Sequence, residues 1–141
     1  MTAKEFLSQA YRIDQRINSK LEQVMSLRAL ATKATVTLHD GVRKTTRNVH
    51  SMEDIIAKMI DLEDEINRDI DTLVDLKRNI VKVIKKIESP EYQTLLELRY
   101  LCFKTWEQIA VDMGYSSKHM FYLHEKAITL IKIPESSYLL G

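Results

Sequence analysis

The sequence predicts an all-α fold, a long antiparallel helical hairpin followed by a C-terminal three-helix domain of helix-turn-helix type. Three observations carry that expectation. Only three glycines and two prolines interrupt 141 residues, of which 29 % are charged, a composition that favours helix. Two long stretches keep apolar residues at heptad spacing. A third, TWEQIAVDMGYSSKHMFYLHEKAITLI from Thr105 to Ile131, reads as helix, glycine turn, helix.

Residues 3–33 form the first helical segment. Ala10, Ile13, Ile17, Val24, Leu27 and Ala31 occupy a and d positions, with Leu7 and Leu21 widening the stripe. Lys20 breaks the rhythm and is expected to snorkel outward.

The stretch 34–50, ATVTLHDGVRKTTRNVH, departs from helical periodicity. Its threonines and Asp40-Gly41 suggest a loop, or a small β-hairpin with a DG turn; the loop is favoured because a lone hairpin is marginal in water. Arg43, Lys44 and Arg47 make it a basic loop, a candidate arm toward a DNA backbone. His39 and His50 lack partners at metal-ligand spacing, so no metal site is expected.

Residues 51–88 are the longest regular element, with Ser51 and Asp54 as an opening cap. Position a reads Met52, Met59, Ile66, Leu73, Ile80, Ile87, and position d reads Ile55, Leu62, Asp69, Leu76, Val83. Such a coiled-coil-like seam must pair. The first helix is the nearest partner, which makes residues 1–88 a hairpin, and a homodimer through the long helices is the other candidate. Asp69 in the seam requires a partner. Residues 53–75 hold nine acidic groups, whereas Lys77, Arg78, Lys82, Lys85 and Lys86 close the helix. The usual role of such a run is a solvated face at a helix C-terminus. Lys82, Lys85 and Lys86 are also candidate phosphate contacts.

Ser89-Pro90 ends one helix and starts another, expected to run to about Phe103 with Cys102 facing the core. Residues 89–133 then form the helix-turn-helix domain and 134–141 a tail. Within the domain Thr105 and Gln108 form a capping box, Gly114 supplies a left-handed stop, Ser116 is a second cap, and Tyr115 fills the corner. Met120, Leu123 or His124, and Ala127 face inward.

The stretch PEYQTLLELRYLCFKTWEQIAVDMGYSSKHMFYLHEKAITLI resembles region 4 of sigma-70-like transcription factors. The whole chain, beginning MTAKEFLSQAYRIDQRIN, is similar to a family of small phage and prophage proteins of Gram-positive bacteria, near the ArpU-type late transcriptional regulators. The resemblance implies a regulator of transcription, with double-stranded DNA and RNA polymerase as partners, in the cytoplasm of a bacterial host cell. It implies no cofactor.

Residues at the start of a second helix reach base edges, and the first helix's N-terminus sits over phosphate. The candidate DNA-binding residues are therefore Thr105, Gln108, Ser117, Lys118, His119, Tyr122 and Lys126. Lys118 suits guanine O6 or N7, and Lys132 a phosphate. Phe121 is an apolar residue on an outward side, and Trp106 is expected to lock helices together.

Net charge is +1, so nucleic-acid binding must rest on local patches. The single cysteine fits a reducing compartment, and no apolar run or signal-peptide pattern suggests a membrane. No nucleophile-base set, carboxylate pair or phosphate loop points to an enzyme. The alternatives to a DNA-binding regulator are a small-terminase-like packaging adaptor and a protein-interaction module without DNA binding. The five basic and five acidic residues between 90 and 133 favour the latter.

Overall fold

Among the described residues of the computed structural model five helices follow in order: α1 (Ala3–His39), α2 (Thr46–Lys85), α3 (Pro90–Tyr100), α4 (Trp106–Met113) and α5 (Ser117–Thr129). The structure describes the backbone of residues 1–39 and 46–134, and the side chains of residues 1–35 and 51–134. The described residues form helices and turns with no strand, and the two long helices pack against each other. None of these helices is long and apolar enough to cross a membrane.

The stretch 34–50 differs from expectation. Residues 34–39 continue α1, and 46–50 already belong to α2, so Ser51 lies inside a helix instead of capping it. Threonine disfavours helix by only a few tenths of a kcal/mol. The hydroxyls of Thr32 and Thr35 donate back to the Arg28 and Ala31 carbonyls at 3.0 and 2.9 Å, which accommodates them in the helix. Asp40, Gly41, Arg43, Lys44, the Arg47 side chain and the tail from Glu135 lie outside the described residues.

The chain divides into two compact units, one of them Asp14–Thr72. Here Ile17 and Val24 of α1 and Leu62 and Ile66 of α2 are buried. Lys20 meets Asp69, Val24 lies beside Ile66, and Leu27 lies beside Leu62, so the two helices run antiparallel. Lys20 does not snorkel outward. Its Nζ lies 2.6 Å from Asp69 Oδ2 and 3.6 Å from Glu65 Oε2, because the facing position offers the seam's half-buried carboxylate.

The other unit joins Met1–Ile13 to the chain from Leu73 onward. Phe6, Leu7 and Ala10 share one core with Leu76, Ile80, Val83 and Ile84 of the α2 end, Ile87 of the link after it, Leu95, Leu96 and Tyr100 of α3, Ile109 and Ala110 of α4, and Met120, Leu123 and Ala127 of α5. Thr2 starts α1 by accepting from the Glu5 amide at 3.1 Å. Ser89 caps α3, with proline in its first turn.

α3 ends at Tyr100, earlier than expected, and Phe103 takes a left-handed φ of 58°. Its ring meets Tyr11 edge-on at 5.6 Å and lies under the Lys77 ammonium at 4.7 Å. These contacts hold a conformation that costs a non-glycine residue about 1 kcal/mol. Cys102 is exposed, contrary to expectation, because it lies beyond the helix end and helical spacing no longer aims it inward.

Candidate nucleic-acid interface

Local hydrogen bonding fixes the corner between α4 and α5. Thr105 Oγ1 accepts from the Gln108 amide at 3.2 Å, and Gln108 Oε1 accepts from the Thr105 amide at 3.0 Å, a closed capping box. Gly114, at φ 73°, follows the last turn; its N–H donates to Val111 O at 3.2 Å and the Tyr115 N–H to Ala110 O at 2.9 Å. That pair of bonds is a Schellman motif, which requires the left-handed residue between them. Ser116 then accepts from the His119 amide at 3.2 Å and starts α5.

α5 buries Met120, Leu123, His124 and Ala127. His124 is 3 % exposed, and its Nε2 lies 2.8 Å from the Tyr100 hydroxyl. Burial lowers the imidazole's pKa to about 4 and raises that of the Tyr100 phenol to about 12, so both are neutral near pH 7. Trp106 packs edge-on against His124 at 4.6 Å and tilts against Phe121 at 5.3 Å. The Arg99 guanidinium covers the Trp106 ring at 4.2 Å and donates to Lys104 O at 3.0 Å. Trp106 therefore ties three helices together, and Phe121, though 45 % exposed, rests one side on it.

The opposite face of α5 is open. Ser117, Lys118, His119, Tyr122 and Lys126 are all exposed. His119 meets the Tyr115 ring edge-on at 4.9 Å and stacks on Tyr122 at 6.4 Å, and Lys126 Nζ lies 5.4 Å from the Tyr122 ring centre. These residues form a strip of rings and cation beginning at the turn. The Tyr115 hydroxyl donates to Glu91, which anchors the strip's first ring and keeps that phenol protonated to higher pH.

Thr105 and Gln108 are exposed at the start of α4, but each already serves the other in the capping box. Lys104 is paired with Asp112 at 2.5 Å. Lys82, Lys85 and Lys86 line a groove of about 500 Å³ with Phe6, Asn79 and Val83, at the end of α2. They are gathered there, in a groove that no residue of α5 lines.

Sequence reasoning missed two residues. Glu125 is exposed on α5 between Tyr122 and Thr129, and its carboxylate pairs with Lys4 Nζ at 3.0 Å. The Lys4 hydrogen bond and charge lower the Glu125 pKa, so an acid stands ionised on the open face, balanced by a cation from the first turn of α1.

No curated protein and no solved structure matches the chain. A family model described as "Protein of unknown function (DUF1492)" matches residues 31–132, most of the chain, and the chain belongs to that family.

Proposed function

We propose that the chain is a phage-type transcriptional regulator that binds duplex DNA with α5 in the major groove. The observation that carries this reading is the open face of α5. Lys118 and His119 stand exposed in the first turn of a helix that a Schellman turn joins to a second short helix, and Tyr122 and Lys126 follow further along the same exposed face. In helix-turn-helix proteins these positions reach base edges. Lys118 offers a donor to guanine, His119 and Tyr122 offer hydrogen bonds and ring surface, and Lys126 meets phosphate. The resemblance to sigma region 4 and to ArpU-type regulators supports transcription as the setting and RNA polymerase as a second partner.

Fluorescence anisotropy on duplexes tests the reading. The wild-type chain binds with an affinity that falls steeply with salt, and a Lys118→Ala/His119→Ala variant binds at least about tenfold more weakly. Absence of binding at low salt rejects it.

One observation favours a second reading, a protein-interaction module. Glu125 places an acid within the open face, where phosphate would be repelled and a basic partner surface welcomed. A partner retained by the wild type and lost on Glu125→Lys would support that reading.

A further inference from the structure

α2 carries a second stripe besides the seam it turns toward α1. Ile56, Ile60, Ile70 and Val74 are 47, 53, 41 and 50 % exposed, and with Glu63 and Asn67, also exposed, they advance in steps of four and three along one continuous helix. That spacing is the coiled-coil rhythm repeated on a different face. Four exposed branched apolar residues at that spacing form a helix face still awaiting a partner.

The stripe is also symmetric about Glu65. Ile60 and Ile70 stand five residues on either side, Ile56 and Val74 nine, and Glu63 and Asn67 two. Twelve residues out, acidic Glu53 matches basic Lys77. We propose that α2 packs antiparallel against α2 of a second copy about a two-fold axis at Glu65, layering Ile60 on the second copy's Ile70, Ile56 on its Val74 and Glu63 on its Asn67.

Orientation follows from the polar layer. In a parallel pair Glu63 would face its own copy, and like charges in a seam repel. In the antiparallel pair the Asn67 amide donates to the Glu63 carboxylate, and Glu53 lies toward Lys77, so both polar layers are complementary. α1 extends the surface at the midpoint. Leu21, Val24, Met25 and Arg28 line a groove of about 340 Å³ with Glu63, Ile66 and Asn67, in which Arg28 supplies a cation near the acidic centre. Two hairpins joined this way make a four-helix assembly. The flanking acids, among them Asp64, Asp71 and Asp75, disfavour nucleic acid or an anionic membrane on the same face.

Sedimentation of the full chain without DNA tests the assembly separately from the DNA-binding proposal. Wild type is a dimer. Ile60→Lys and Ile70→Glu each raise the dissociation constant about a hundredfold or more, because each buries two charges against isoleucine. Both positions face water in the single chain, so circular dichroism shows unchanged helicity. An equimolar mixture of the two variants restores a dimer, since lysine then meets glutamate in one layer and isoleucine meets isoleucine in the other. A monomeric wild type, variants that still dimerise, or helical variants whose mixture stays monomeric would overturn the proposal, the last by showing that residue 60 does not face residue 70.

Discussion

Lys20 Nζ lies 2.6 Å from Asp69 Oδ2, and each is the residue that interrupts the apolar stripe of its own helix. Their side chains are only 16 and 13 % exposed. Removing Lys20 leaves the Asp69 carboxylate only the exposed Arg16 guanidinium, 4.0 Å away, whereas removing both residues leaves no charge in the seam layer. Lys20→Ala should destabilise the chain by about 2–3 kcal/mol. The double replacement Lys20→Leu/Asp69→Leu should be neutral or stabilising. Urea unfolding of the three proteins checks both, and equal costs for the single and double replacements would contradict the pairing.

His124 makes stability depend on acid. Unfolded, its imidazole takes up a proton near pH 6.5; folded, burial delays that to about 4. The unfolded chain therefore binds the extra proton first. Stability from this site is complete above pH 6.5 and is lost as pH falls toward 4, by about 3 kcal/mol in total. Unfolding free energies of the wild type and His124→Gln, measured across that window, should converge as pH falls.

Gly114 holds a φ of 73°, and a Cβ added there would meet nothing within 4 Å. Gly114→Ala should therefore cost only the conformational penalty, about 1 kcal/mol, and Gly114→Asn less. Thermal unfolding checks this. A cost of several kcal/mol would mean that the turn is crowded.

The Lys4–Glu125 pair should tune duplex affinity if α5 faces DNA. Lys4→Ala leaves Glu125 unbalanced and should weaken binding roughly threefold, while Glu125→Gln should strengthen it by a similar factor. Anisotropy titrations at one salt concentration read both changes. Opposite signs would place this face away from phosphate.

Features set by neighbouring residues were legible in the sequence. The Thr105–Gln108 capping box, the left-handed Gly114 and the Ser89 and Ser116 caps each depend on atoms within a few positions, and each formed. Helical spacing offered Leu123 or His124 as the inward residue and both are buried, while Trp106 packs against its neighbours as such a residue usually does. Asp69 showed its need for a partner, but Lys20 is 49 positions away, and only the hairpin's register brings it there. Glu125 and Lys4 are 121 positions apart, with no pattern to link them. The end of α1 was misread because threonine counts against helix by only a few tenths of a kcal/mol, and the helix runs on through Thr32 and Thr35 with their hydroxyls bonded back to the preceding turn.

Selection of bound duplexes from a random library by the full chain reads out whether α5 recognises DNA. Recovery of one motif is the expected result, with binding that falls steeply with salt and drops at least about tenfold for Lys118→Ala/His119→Ala. Recovery of no motif, with no binding at low salt, would contradict DNA recognition by α5 and assign its open face to a protein partner.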